Sequence, residues 1–219
     1  MMTQTETLGK TLTSLAQEVQ VQGPKRIGIL GGAFNPPHLG HLLLAEQVGK
    51  ELELDEVWFM PVAKRHYEQE GTDVPVIHRL KMVQLAIQDN PFFKIQPYEL
   101  LHGDKLFTVD TMRYFRRLFP DAQFYYLMGA DRAQKLHKWY QIEQLAELVH
   151  FVAQKPVGTP MPETEWPVVE WVEAPTLPVS STDIRLRVFC DQSIRYQVPE
   201  AVADYIEEQG LYKTAFGRV

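Results

Sequence analysis

The sequence predicts a doubly wound α/β fold built on a parallel sheet. Three observations carry that expectation. Stretches of strand composition alternate with stretches of helical periodicity from residue 26 onward, which is the pattern of parallel strands joined by crossover helices. The stretch "QFYYLMG" (123–129) is continuously apolar instead of alternating, as a strand covered on both faces must be. A glycine-bearing turn follows the first strand pattern and opens directly onto a helix pattern, in "GGAFNPPHLGHL" (31–42), where such folds bind their ligands.

Taken in order, Leu8, Leu12, Leu15, Ala16 and Val19 recur at helical spacing and predict a helix within 3–20. "QGPK" (22–25) interrupts it, which makes residues 1–24 a helical appendage to a main domain of 25–219. "RIGIL" (26–30) reads as a strand, "GHLLLAEQVGKEL" (40–52) as a helix and "EVWFMP" (56–61) as a strand. A polar loop runs to about residue 74, and "PVIHRLKMVQLAIQD" (75–89) is a helix with proline in its first turn. "FFKIQPYEL" (92–100) reads as extended and "TVDTMRYFRRLF" (108–119) as helical. After the strand at 123–129 come a helix in "YQIEQLAELV" (140–149) and strands in "HFVAQKP" (150–156) and "PVVEWVEA" (167–174). "STDIRLRVFC" (181–190) and "PEAVADYIEEQG" (199–210) close the chain as helices, the last stopped by Gly210.

A chain of 219 residues is long enough for one sizeable core. No apolar run approaches a membrane span, and the first residues lack the basic start and apolar segment of a signal peptide. The lone cysteine, Cys190, excludes an internal disulfide and a thiolate metal cluster, and reads as a small buried residue in a reducing cytoplasm. A net charge of −6 argues against a nucleic-acid or anionic-membrane binder. An anionic ligand would need positive potential concentrated at one place. The sequence leaves the oligomeric state open, a homo-oligomer included.

The segments just past the strands are where that place should lie. Gly31 and Gly32 let the backbone approach a ligand without a Cβ in the way. Pro36 and Pro37 stiffen the loop. His38 and His41, three apart at the helix start, project from one face beside the N–H groups and partial positive charge of a helix N-terminus. Together they form a donor cluster suited to a triphosphate. A zinc site is the other use of paired histidines, but no glutamate lies between them and no cysteine accompanies them. In "SSTDIR" (180–185), Ser180 reads as an N-cap with Asp183 three residues on.

"GGAFNPPHLGH" (31–41) resembles the HxGH signature of the nucleotidyltransferase superfamily, and "SSTDIR" resembles that superfamily's second motif. "HRLKMVQLAIQDNPFF" (78–93), "YYLMGADRAQKLHKWY" (125–140) and "SIRYQVPEAVADYIEEQGLY" (193–212) narrow the resemblance to the bacterial nicotinate-nucleotide adenylyltransferases, over roughly 25–213. The resemblance implies a Rossmann-like nucleotidyltransferase fold and adenylyl transfer from ATP to nicotinate mononucleotide, giving deamido-NAD and pyrophosphate in NAD biosynthesis. It implies His38, His41 and Arg185 as catalytic donors to the ATP phosphates. ATP would also meet Gly31, Gly32, Ala33, Phe34, Gly129, Ser181 and Thr182. Asp131 would bind the adenosine ribose, with a helix N-cap as its other reading. The pyridine end falls to Trp139, Tyr140 and Thr108, and Mg²⁺ would arrive with ATP.

Two segments depart from the family pattern. The loop "PVAKRHYEQEG" (61–71) lacks a second proline pair but offers Lys64, Arg65 and His66 for phosphates. "LFT" (106–108) stands where the family commonly has "SYT", so two hydroxyls near the pyridine are missing. The alternatives are the same chemistry on nicotinamide mononucleotide or phosphopantetheine, and a nucleotide-binding sensor without turnover.

Overall fold

Continuous apolar strands are possible because successive residues of each strand enter different cores. Along β1 (Arg26–Gly32), Ile27 and Ile29 join one cluster and Leu30 joins the other. Along β2 (Glu56–Pro61), Trp58 and Met60 face the first and Phe59 the second. The computed structural model describes residues 4–18, 23–63, 74–103, 106–162 and 169–213. With β3 (Phe93–Ile95), β4 (Gln123–Gly129), β5 (His150–Lys155) and β6 (Val169–Glu173), the sheet has the order β3-β2-β1-β4-β5-β6, and every pairing is parallel. The chain reverses its direction of winding between β1 and β4. That is the switch point where an open α/β sheet parts into a crevice.

Helices α2 (Leu39–Glu51) and α3 (Val76–Ile87) cover the face that holds Leu44, Val48, Leu80 and Val83. α5 (Thr108–Leu118) covers the other face with Met112 and Phe115. α1 (Gln4–Glu18) lies on the first of these faces, where Leu12 is buried in the same cluster as Leu30 and Phe34. The appendage expected at the N-terminus therefore packs on the core of its own chain.

Three expectations change. Residues 92–100 are not extended throughout: β3 is short, and α4 (Tyr98–His102) follows it. Gln96 Oε1 accepts the Tyr98 N–H at 3.1 Å, turning the chain into that helix. The helix expected over 140–149 shrinks to α7 (Ile142–Ala146), because Gln141 before it is left-handed with φ 51°. Cys190 is exposed, at the end of α8 (Ser181–Phe189). In α9 (Glu200–Glu208) the stop at Gly210 is as expected. Its φ of +59° lets Leu211 N–H reach Ile206 C=O at 3.0 Å and close the last turn.

Candidate active site

Everything the sequence singled out in 31–41 lies at the carboxyl end of β1. Gly31 and Gly32 are the last two residues of that strand. Phe34 turns the chain with φ 50°, and its buried ring packs edge-on to His41 at 5.2 Å. A cis Asn35–Pro36 bond follows. His38 then caps α2, and its ring stacks on that of His41 with 3.6 Å between centroids.

At Gly31 the room left by the missing Cβ is taken by a side chain of the protein: a Cβ there would lie 2.2 Å from the Tyr126 hydroxyl of β4. At Gly32 the Phe34 ring fills it, at 3.3 Å. Gly40 makes room for the imidazole pair itself. A Cβ on it would meet His38 Nδ1 at 3.0 Å and Val179 Cγ1 at 3.2 Å, forcing the imidazole pair and the segment before α8 apart. Replacing Gly31 with alanine should destabilise the protein by about 1–3 kcal/mol through overpacking. Adding Tyr126→Phe should recover most of it, since the hydroxyl is the atom in the way. Thermal melting of both variants checks this, and an unchanged curve for Gly31→Ala would mean that Tyr126 swings aside without cost.

Burial decides the charge of one of the two imidazoles. Burial pushes the His38 pKa down to about 4, so His38 is a neutral ring at neutral pH and adds no positive charge. Its Nδ1 is buried and makes no hydrogen bond among the described residues. His41 Nδ1 accepts the His38 backbone N–H at 3.2 Å. An accepting nitrogen carries no proton, so His41 keeps its proton on Nε2, the edge turned away from the backbone.

The second motif meets the first through hydrogen bonds. Ser180 Oγ accepts the Asp183 N–H at 3.1 Å, the cap expected from sequence. Ser181 Oγ donates to Pro36 C=O at 2.8 Å, and Arg185 Nη1 donates to Asn35 C=O at 2.9 Å. Arg185 Nη2 also reaches Thr182 Oγ1 at 3.3 Å, while Nε is buried with no partner among the described residues. The hydroxyls of Ser181 and Thr182 thus hold structure, and two of the five Arg185 N–H groups are already committed. Tyr212 Oη donates to Asn35 Oδ1 at 2.8 Å and braces the same loop from the C-terminal side.

On the other side of the switch point, Gly129 begins α6 (Ala130–Ala133) as its N-cap, so Asp131 is not the cap. It is exposed in the first turn at the end of β4. Trp139 is half-buried against Tyr126 and Phe151, at 5.4 and 6.5 Å between centroids. Tyr140 is exposed and meets Phe107 at 4.3 Å. That contact brings the start of α5, where Thr108 is the first helical residue, beside the Trp139–Tyr140 pair. Lys64, Arg65 and His66 lie outside the described residues. Among those described, no group of three histidine, cysteine or acidic side chains is placed to hold a metal ion, and no helix is long and apolar enough to cross a membrane.

Sequence reading missed three buried or bridging residues. Arg79 of α3, 4% exposed, donates from Nη1 to Ala33 C=O at 2.8 Å and Val62 C=O at 2.9 Å, and from Nη2 to Ala63 C=O at 2.9 Å. It ties the ends of β1 and β2 together. Glu99 of α4 is buried, accepts from Thr111 Oγ1 at 3.1 Å, and is pushed up to about 7 by that burial. Arg132 of α6 reaches across to Gly31 C=O at 2.6 Å.

Comparison with known proteins accords with this geometry. Residues 29–187 match the cytidylyltransferase-like family. A Lactiplantibacillus plantarum protein described as a probable nicotinate-nucleotide adenylyltransferase is 46% identical over 209 residues, 95% of this chain and 98% of the relative. The nicotinate-nucleotide adenylyltransferase of Bacillus subtilis is 38% identical over 190 residues, 87% of this chain and all (100%) of that protein. The fold is similar to that of Plasmodium falciparum nicotinic acid mononucleotide adenylyltransferase complexed with NaAD, with a TM-score of 0.74 and 20% identity over 88% of this chain and 100% of that one. At that identity the likeness speaks for the fold, while the sequence relatives speak for the lineage. With its two phosphate-type motifs joined at the β1–β4 crevice and these relatives spanning nearly its whole length, the chain belongs to the nicotinate-nucleotide adenylyltransferase family.

Proposed function

We propose that this enzyme transfers the adenylyl group of ATP to nicotinate mononucleotide, yielding nicotinate adenine dinucleotide and pyrophosphate for NAD biosynthesis. The observation that carries the reading is the convergence of the stacked His38–His41 pair, the α8 start with Arg185 and the Trp139 indole around one switch point.

The chemistry asks little of a proton acceptor. A phosphate monoester has its second pKa near ~6 and is mostly dianionic at neutral pH. One of its oxygens attacks the α-phosphorus, the bond from that phosphorus to the α,β-bridging oxygen breaks, and pyrophosphate leaves with the electron pair. The protein must align two polyanions that repel each other and stabilise charge on the phosphoryl oxygens. His41 Nε2–H serves as a donor there, with His38 beside it. The uncommitted N–H groups of Arg185 serve the outer phosphates. Asp131 accepts from the ribose hydroxyls, and Trp139 offers an indole face to the pyridine.

Mg²⁺ would arrive with ATP and offset part of the charge on its phosphates. The net charge of −6 argues against a general nucleic-acid binder, and an anionic substrate needs positive potential concentrated at one place. The setting is a cytoplasmic biosynthetic enzyme.

The test is pyrophosphate release with ATP, Mg²⁺ and each of three acceptors. Nicotinate mononucleotide should give the highest kcat/KM. A higher value with nicotinamide mononucleotide or phosphopantetheine would reassign the substrate, and ATP binding without release for any acceptor would make the protein a sensor.

A further inference from the structure

We infer that Tyr212 is a positioning residue for the reaction: its hydroxyl fixes the Asn35 side chain, and through Asn35 it sets where the loop before His38 stands relative to Arg185. This rests on the adenylyl-transfer reading above. Residues 33–37 belong to no strand or helix, so their polar groups must find partners elsewhere in the fold. Later parts of the chain supply them. Asn35 is 4% exposed and is held from two separate segments. Arg185 Nη1 donates to its C=O at 2.9 Å, and Tyr212 Oη donates to its Oδ1 at 2.8 Å. Just beyond, Gln197 C=O accepts the Leu39 N–H at 2.9 Å.

The end of the chain is shaped to deliver that hydroxyl. After α9, Gly210 and Tyr212 both take left-handed backbone, with φ of 59° and 64°. Such a conformation is strained for a tyrosine and persists only where its surroundings hold it. The surroundings here are a buried cluster that contains Tyr212, Met82 of α3 and Ile184, the neighbour of Arg185 in α8. The phenol ring therefore belongs to the core behind the second phosphate motif, while its hydroxyl reaches the loop of the first. A phenylalanine would fill the same volume and leave Asn35 Oδ1 without this donor. Arg185 takes its bearing from the carbonyl of that same asparagine, so a tilt of Asn35 moves the guanidinium and the approach to His38 together. Tyr205 of α9 provides the contrast. It borders the same cluster, and its hydroxyl lies 2.9 Å from His78 Nδ1, but His78 belongs to neither motif.

The experiment measures pyrophosphate release by wild type, Tyr212→Phe and Tyr205→Phe, varying ATP with Mg²⁺ and nicotinate mononucleotide separately. Tyr212→Phe should lower kcat/KM for ATP about 10–100-fold, the range expected for a displacement of up to about 1 Å. KM for nicotinate mononucleotide should stay within about twofold, because the phosphate motifs hold the other substrate. Tyr205→Phe removes a comparable hydroxyl and should keep kcat/KM within about twofold. In the background of Asn35→Ala, which retains the carbonyl, Tyr212→Phe should cost less than about threefold, since both changes break one contact. Normal kcat/KM in Tyr212→Phe, equal falls in the two tyrosine variants, a matching rise in KM for nicotinate mononucleotide, or independent effects in the cycle would each overturn the assignment. So would a collapse of the Tyr212→Phe melting temperature, which would make the hydroxyl a general support of the fold. The tyrosine comparison stands by itself if Asn35→Ala does not fold. If wild type releases no pyrophosphate, adenylyl transfer fails on its own account. Calorimetric titration with ATP and Mg²⁺ then decides: binding weakened about fivefold or more in Tyr212→Phe alone supports the assignment, and unchanged or undetectable binding to wild type and variant rejects it.

Discussion

Replacing His41 with alanine lowers kcat by about 10²–10³ while the melting temperature stays close to that of the wild type. The size is that of losing one preorganised donor to a developing oxyanion. His41 is half-buried at the start of α2, and its ring bonds the His38 N–H through Nδ1. That bond leaves Nε2–H as the donor edge, so the imidazole arrives at the transition state already oriented. Because kcat and kcat/KM fall together when an interaction exists only in the transition state, the ATP KM should change little. His41→Asn offers a second donor on a short side chain and should restore a fraction of the rate. Full activity in His41→Ala would show that the ring packs against Phe34 and His38 without touching the reaction.

For Arg79, the expected result is loss of both fold stability and activity. Arg79→Ala removes a buried guanidinium that holds three carbonyls at the ends of β1 and β2. Hydrogen bonds from a charged donor contribute roughly 1.5–3 kcal/mol each, although their sum overstates the net because water can reach the partly exposed carbonyls of 62 and 63. A loss of about 2–5 kcal/mol follows, or a melting temperature lower by on the order of 10 °C. The informative variant is Arg79→Lys. Its ammonium keeps the charge but is too compact to bridge all three carbonyls. The loop of 33–38 should shift, and a misplacement near 1 Å can cost about 10²-fold in rate. We expect Arg79→Lys to fold, melt a few degrees low and retain no more than a few per cent of wild-type kcat. A lysine variant with normal turnover would show that the strand ends hold their positions without the guanidinium.

Much of the molecule was legible because its signals are local. "EVWFMP" is a strand with the expected bounds, and Ser180 caps α8 through Asp183 as the spacing implied. His38 and His41 stack because both belong to one helix start. Each of these depends on residues within about one helical turn or one strand. Charge was less legible than position. Two histidines in sequence look like a cationic pair, yet burial keeps His38 neutral above pH of about 4, and burial cannot be read from a spacing of three.

What the residue order settled is therefore the alternation of elements, their caps, and the kinds of side chain that gather past the strand ends. Nothing in "HRLKMV" distinguishes Arg79 from a solvated helix arginine, and nothing in "GGAF" says that Gly31 makes room for Tyr126. Those assignments arise from contacts between residues far apart in the chain: 46 for Arg79 with Ala33, 101 for Arg132 with Gly31, and 150 for Arg185 with Asn35. Periodicity and capping act over a few residues, whereas a long polar side chain takes whichever carbonyl the crossing strands present to it. Only the folded sheet, with β4 inserted beside β1, decides which carbonyl that is.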